Sequence, residues 1–360
     1  MAKMEIKSIR TKLLLYFIPA TVLVLVIAAF VIGLMARNST TDLTENLTSE
    51  IVNASEMSVE EWIQGILNNL RSLAVEENIQ SMDKNKYTKV LFDNVAASNG
   101  GYEMLFVSEP DGVTYTHNNL KTDLKERDYF QEIIKKGKDT AVSNALISAT
   151  TGNTIVVFSV AIKQGNKTVG LLGATVTLNA LADKLNTIKI GKEGYVFLAD
   201  GTGLTISHPD KEMIMSLDMT DTKKDGFVGL EEAGIRMTKG ERDIVSYTRP
   251  DGVRFTLVFQ PVAHTPNWSL GAAIPQTQIN ETSNRILMVI IIAFAIIIAV
   301  IVIIAIFVGI IFSTPVKELA KIVLRIADYD LTFDEKSKAV KYIKQKDEIG
   351  QITNALAKMQ

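Results

Sequence analysis

Three histidines are the first candidates for chemistry, and two of them close nearly the same phrase. Residues 112–117 read GVTYTH and residues 203–208 read GLTISH, ending in His117 and His208. Imidazole binds transition metals and titrates near neutral pH. A metal centre, however, needs three or four such ligands converging. The third histidine, His264, stands far along the chain from both, and there is no cysteine. No metal is therefore expected. No nucleophile–base pair, phosphate-binding loop or paired-carboxylate motif is present either. The Gly-x-Gly of DGTGLT sits in a turn between strands, without the strand–loop–helix setting of a nucleotide site. The sequence predicts a non-enzyme with no cofactor, and it leaves the two phrases as scaffold written twice.

The surrounding pattern supports duplication. Glu103–Ser108 (EMLFVS) leads through Pro110-Asp111-Gly112 into the first phrase, and Tyr195–Ala199 (YVFLA) leads through Asp200-Gly201 into the second. Each reads as strand, turn, strand. Asn153–Ile162 and Thr168–Leu178 add two apolar strands, with a helical pattern from Leu181 to Leu185. Ile244–Thr248 echoes Ile155–Ser159, and Trp268–Ala272 echoes Gly170–Ala174 through a shared Leu-Gly-Ala. The offsets are 91, 89 and 98 residues. Three echoes in order predict two small α/β units with antiparallel sheets, one after the other. Alternation on the first phrase puts Val113, Tyr115 and His117 on one strand face.

These units need a frame. Residues 13–36 and 286–312 are free of charge, and each exceeds the roughly 20 apolar residues that cross a bilayer. They account for a mean hydropathy of +0.17. The first run is too long for a signal-peptide core of about 15 residues and is read as an uncleaved anchor. Lys3, Lys7, Arg10 and Lys12 precede it, and Lys317, Lys321 and Arg325 follow the second run. The positive-inside rule then places segment 1–12 and the C-terminal end in the cytoplasm, and residues 37–285 outside, in a multi-pass protein of the cell membrane. Without cysteine the outer part must be held by its core alone. A net charge of −2 gives no footprint for nucleic acid.

Between the first span and the units, apolar residues recur at Leu43, Leu47, Ile51, Ala54, Trp62, Ile66, Leu70 and Leu73, predicting a long amphipathic helix over 37–80 with N-cap candidates at Ser39 and Thr40. After the second span, Val316, Leu319, Val323 and Ile326 form one short stripe and Ile349, Ile352, Leu356 and Met359 another. Two such helices cannot bury their apolar faces alone, so a bundle is expected, most simply a homodimer.

The C-terminal stretch 313–360 resembles a HAMP domain: Pro315 at its start, Asp330-Leu331-Thr332 in the connector and Asp347-Glu348-Ile349-Gly350 opening the second helix. Residues 38–284 resemble a double Cache domain of bacterial methyl-accepting chemotaxis receptors. ERDYFQEIIKKGK matches the segment that family carries on its membrane-distal module, and GKEGYVFLADGTGLTISHPD the opening of the proximal one. The resemblance implies an α+β fold of two PAS-like modules on a long helix, distal over 81–188 and proximal over 189–284. Two transmembrane helices and a cytoplasmic HAMP bundle complete it. It implies a chemoreceptor that passes ligand binding to cytoplasmic signalling proteins through an output module beyond residue 360. A sensor for a histidine kinase or a cyclic-dinucleotide enzyme is the alternative.

The resemblance also implies a pocket. Amino-acid-binding members grip the ligand carboxylate with an Arg followed, after one residue, by an aromatic pair. Arg127, Tyr129 and Phe130 match, with Tyr where Trp is usual. A guanidinium fork fits a carboxylate bidentately. Those members place an aromatic near Leu146 and an amine-gripping Asp at Thr175, and this chain has neither. A bound ammonium would lack its charge partner, a costly arrangement once desolvated. The expected ligand is thus a small anionic or carbonyl-bearing molecule rather than an α-amino acid, contacted by Arg127, Tyr129, Phe130, Tyr115, His117, Leu146, Ser148 and Thr175. Each also has a plain structural reading: Arg127 as a helix tie, Tyr129 and Phe130 as core, His117 and His208 as scaffold.

Overall fold

The computed structural model describes residues 9–148, 150–185, 188–332, 334 and 337–360. The basic flank at Lys3 and Lys7 lies outside them. The chain divides into two compact units, one of residues 40–282 and one of residues 1–39 with 283–360.

Helix α1 (Ile9–Ala74) runs without a break through Ser39 and Thr40, so the expected N-cap does not form. The hydroxyls bond back along the helix instead: Thr44 Oγ1 donates to the Thr40 carbonyl at 2.8 Å and Thr48 Oγ1 to that of Thr44. Such i−4 bonds satisfy a hydroxyl inside a helix and remove the signal for a start. In the larger unit the buried face of α1 carries Thr48, Val52, Ser55, Val59, Ile63, Leu67 and Leu70. This corrects the predicted stripe at its N-terminal end, because Leu43 and Leu47 are half exposed. Beyond Trp62, which meets Phe158 edge-on at 5.6 Å, prediction and structure agree on Ile66, Leu70 and Leu73. Two short helices come next, α2 (Glu77–Gln80) and α3 (Lys84–Ala97), the latter capped by the Asp83 carboxylate on Asn85 N.

The first sheet contains β1 (Met104–Ser108), β2 (Val113–Thr116), β3 (Lys121–Asp123), β4 (Thr140–Val142), β5 (Leu146–Ile147), β6 (Thr154–Gln164) and β7 (Lys167–Thr177). It is antiparallel, in the order β3-β2-β1-β7-β6-β4 with β5 beside β6. Between β3 and β4 lies the helical turn α4 (Asp128–Phe130), and α5 (Leu178–Leu185) leads out of β7. The second sheet contains β8 (Lys189–Ile190), β9 (Gly194–Ala199), β10 (Thr205–Ser207), β11 (Asp243–Thr248), β12 (Arg254–Pro261) and β13 (Ser269–Pro275), with α6 (Leu230–Thr238) before β11. Its order, β10-β9-β13-β12-β11, repeats the first.

The shared topology confirms two of the echoes and corrects the third. GVTYTH and GLTISH lie on β2 and β10, and the two Leu-Gly-Ala triplets on β7 and β13. Ile244–Thr248, however, is the edge strand β11, which stands where β4 does. The counterpart of β6 is β12, since Phe158 pairs with Ala174 and Val258 with Ala272. Alternating apolar strands resemble one another too closely for pattern alone to tell an edge from its neighbour. A further echo is structural: Phe106 lies directly opposite Gly173, and Phe197 opposite Gly271. A Cβ built on either glycine would fall 2.2 or 2.4 Å from the phenyl ring, so each ring lies flat on a strand that must carry glycine there.

Each sheet is covered on both faces. One large core joins α1 to Leu105, Phe158 and Leu172 of the first sheet and to Leu198, Trp268 and Leu270 of the second. The opposite face of the first sheet gathers Phe106, Tyr129, Phe130, Ile133 and Val157. That of the second gathers Phe197, Met219, Leu230, Tyr247 and Phe259. The two sheets are also tied directly: Ala145 N donates to Asp200 Oδ2 at 3.0 Å, and Gly201 N to Asn144 Oδ1 at 3.0 Å.

In the other unit, the remainder of α1 and helix α7 (Gln276–Ala327) are long and apolar enough to cross a membrane. A Cβ at Gly33 would stand 3.0 Å from Leu287 Cδ2, so the leucine side chain would have to give way to a larger residue there. Helix α7 continues through Pro315. Asp330 then accepts from Arg325 Nε at 2.9 Å and from Thr332 N at 3.1 Å. Helix α8 (Glu348–Met359) starts at Asp347, whose carboxylate caps Gly350 N, and Gly350 lies against the Gln345 carbonyl. Leu319, Ile322 and Thr353 are buried here, while Val316, Val323, Ile352 and Met359 of the predicted stripes stay exposed.

Candidate ligand-binding cavities

Arg127 ends the turn after β3 in extended backbone and begins α4. Its carbonyl accepts from Phe130 N and Gln131 N, and the chain then widens into a π-helical turn over Gln131–Lys135. Such turns re-aim side chains where a regular helix would not. Here Phe130 and Ile133 are driven fully into the core, while Tyr129 borders a cavity on the sheet face away from α1. About 360 Å3 of atom-free space lies here, part of it continuous with solvent, and the enclosed room is about 30 Å3.

Hydroxyls dominate its wall: Thr114, Thr116, Thr122, Ser148, Thr150 and Thr175. Phe106, Tyr129, Leu146 and Ile155 supply apolar surface, and Arg127 the sole charge among the described lining residues. The guanidinium has no ion-pair or hydrogen-bond partner among the described residues, which argues against the helix-tie reading. Burial pushes the Tyr129 phenol well above the ordinary tyrosine range, against a smaller opposite pull from Arg127. It is therefore a neutral donor at any physiological pH. A carboxylate, Glu103, stands behind the wall. It accepts from Thr175 Oγ1 at 3.3 Å and from Thr151 Oγ1 at 3.0 Å, and bonds Asn153 as well.

Of the predicted site residues, Arg127, Tyr129, Leu146, Ser148 and Thr175 come together at this cavity. Three do not. Phe130 is enclosed in the core with no exposure. Tyr115 and His117 point to the helix side of the sheet, where Lys84 Nζ sits 4.1 Å from the Tyr115 ring centre and His117 meets Phe92 at 6.5 Å. The predicted alternation on β2 holds, but the cavity takes the other face, Thr114 and Thr116. Which face is which depends on the pairing of β2 with β1, a tertiary fact. Burial lowers the His117 pKa, partly offset by its backbone contact to Leu105.

The second sheet bears a cleft in the equivalent place, with about 1390 Å3 of atom-free space, part of it continuous with solvent. Tyr195, Phe197, His208, Phe227 and Tyr247 line it. The two phenols meet oxygen to oxygen at 3.3 Å, and His208 stands edge-on to Tyr195 at 4.8 Å. Burial raises both phenol pKa values and lowers that of His208. Nδ1 of His208 lies 3.0 Å from Asp210 N and 3.2 Å from the Asp210 carbonyl oxygen. The register of β10 on β9 shifts between Thr205 and Ser207. A bulge of this kind re-aims the side chains next to it, and His208 faces the cleft while its counterpart His117 faces the helices. Sequence reading missed this cleft because its rings come from segments widely spaced along the chain.

The larger unit thus consists of two antiparallel-sheet modules on one helix, each with a cavity on its outer face. Residues 34–283 match the Cache domain family, and the chain belongs to that family. It is similar to the methyl-accepting chemotaxis protein McpB of Bacillus subtilis, 21% identical over 96% of this chain and 50% of that protein. It is also similar to McpA of Pseudomonas putida, 26% identical over 60% of this chain and 32% of that protein. The chain spans half or less of the length of these relatives. Among solved structures, the ligand-binding domain of the Pseudomonas fluorescens chemoreceptor CtaA, in complex with L-isoleucine, superposes with a TM-score of 0.56. It is 19% identical and covers 68% of this chain and 98% of that domain. The domain of the Pseudomonas aeruginosa chemoreceptor PctB, in complex with L-Arg, gives 0.52 at 19% identity, over 66% of this chain and 97% of that one. At such identity these likenesses speak to the fold.

Proposed function

We propose that the chain is the sensing and membrane-crossing part of a homodimeric chemoreceptor that binds a small anionic or carbonyl-bearing molecule on Arg127. The observation that carries this is the guanidinium itself, half-buried in a wall of hydroxyls and, among the described residues, without a partner or a carboxylate in that wall. A bound carboxylate would gain a charge-assisted fork from Arg127 and donors from Tyr129 and the threonines. An α-amino acid is the second reading, favoured by Glu103 behind Thr175, whose carboxylate would have to leave its present partners to meet an ammonium.

In this reading the spans are 13–36 and 286–312, with residues 37–285 outside the cytoplasm and both ends within it. The first sheet is the membrane-distal Cache module over 81–188 and the second the proximal one over 189–284. Leu146 and Ser148 line the cavity, and Asn144 and Ala145 beside them hold the Asp200 turn of the second module. A ligand that tightens this wall therefore biases the contact between modules, and a two-state equilibrium carries the change onward. Residues 313–360 act as a HAMP bundle. The exposed Ile352 and Met359, like Leu43 and Leu47 on α1, are surface that a second copy covers. Beyond them an output module engages cytoplasmic signalling proteins.

A thermal-shift screen of the full chain in nanodiscs against small carboxylates, carbonyl compounds and amino acids tests the reading, because a ligand of the folded state raises the melting temperature. Carboxylates without an amine should shift it, and Arg127→Ala should abolish that shift while the circular dichroism stays native. Stabilisation by amino acids alone, lost in Glu103→Gln, would favour the second reading.

A further inference from the structure

The geometry points to a second ligand site, in the cleft of the second module, for a small organic cation of the alkylammonium type. Four aromatic rings, Tyr195, Phe197, Phe227 and Tyr247, line this cleft, and four carboxylates, Glu193, Asp210, Asp225 and Asp251, stand on the same wall. Among the described lining residues Arg249 is the one cation, and it is answered by Asp251 at 3.3 Å and lies over the Phe255 ring at 5.3 Å. The balance of the lining is thus strongly negative, opposite in sign to the first cavity. His208 adds no charge near neutral pH, since burial holds it unprotonated.

Rings and carboxylates together select for one chemistry. The negative face of an aromatic ring attracts an ammonium that has shed part of its water. Methyl or methylene groups on that ammonium bury favourably against Phe197, Phe227 and Met213, which also line the cleft. An anion would meet the carboxylates, and a neutral apolar molecule would leave them unused. The proposal is independent of the one for Arg127, because neither cavity shares a lining residue with the other.

The test is isothermal titration of the full chain in nanodiscs with choline and with 3,3-dimethyl-1-butanol, its uncharged carbon isostere. Choline should bind saturably and at least about tenfold more tightly than the alcohol. Asp225→Asn and Glu193→Gln, at surface positions that leave the fold intact, should each weaken choline several-fold. Phe227→Ala should weaken it about tenfold, and Arg127→Ala should leave it unchanged. Equal binding of the alcohol would overturn the charge selection. Loss of choline binding in Arg127→Ala with the cleft variants silent would move the site to the first cavity. No saturable heat up to about 10 mM choline would overturn the proposal outright.

Discussion

The two modules share a topology and a phenylalanine laid on a glycine, yet they line their cavities with opposite chemistry. Phe106 over Gly173 walls the first cavity and Phe197 over Gly271 the second. Above that common element, the first module places hydroxyls around one guanidinium, and the second places rings among carboxylates. The modules hold in common what the sheet requires and differ in what the loops carry. The clearest case is the repeated phrase itself. In β2 the register is regular and His117 turns to the helices, whereas in β10 the register shifts and His208 faces the cleft. A near-identical six-residue sequence thus holds its histidine in two environments.

The contact between modules is expected to give the largest effect when broken. Asp200 is 2% exposed, and its carboxylate accepts from Thr202 N, Leu204 N, Thr202 Oγ1 and Ala145 N. In the corresponding turn of the first module Glu109 takes the place of Asp200, and the nearby Asp111 is exposed and, among the described residues, accepts from Val113 N alone. Asp200→Ala should cost about 3 kcal/mol in chemical denaturation, and Asp111→Ala well under about 1 kcal/mol. Equal costs would mean that Asp200 does no more than shape its own turn.

The paired glycines sharpen the comparison next. A methyl on Gly173 would force the Phe106 ring into the first cavity, and one on Gly271 the Phe197 ring into the second. Each Gly→Ala change should destabilise by about 1–3 kcal/mol through overpacking. Gly173→Ala should in addition close the Arg127 cavity, while Gly271→Ala leaves it open. Titrations of the two variants with the same carboxylate separate these outcomes.

The smallest effect concerns the histidines. Burial is the first cause of the lowered pKa at both His117 and His208. The unfolded chain therefore binds protons at higher pH than the folded one, and stability rises with pH through this window. The contribution is whole above the ordinary imidazole value of 6.5 and is lost as pH falls toward the lower folded-state values. Melting temperatures measured from pH 7.5 to pH 5 should fall, and His208→Gln should flatten the decline.

Much of the frame was legible in the sequence. Charge-free runs marked the two long apolar helices, and echoed phrases marked the two modules, because hydropathy and turns are local properties. The Arg127–Tyr129 segment was legible through resemblance. What escaped depended on partners distant in the chain. The cavity face of β2, the edge position of β11 and the aromatic cleft are set by strand pairing and one bulge. The helix start expected at Ser39 failed for the converse reason: local cap chemistry was overruled by a helix that α1 continues from both sides.

Arg127 is the residue on which carboxylate binding is proposed to depend, and one titration addresses it. The best carboxylate found by thermal shift, titrated calorimetrically into the full chain and into Arg127→Ala, should lose about a hundredfold in affinity or more. Arg127→Lys should recover only part of this, because an ammonium cannot form the fork. Folding stability of Arg127→Ala should stay within about 0.5 kcal/mol, since among the described residues the guanidinium makes no hydrogen bond or ion pair. Undiminished affinity in a folded Arg127→Ala protein would contradict the account.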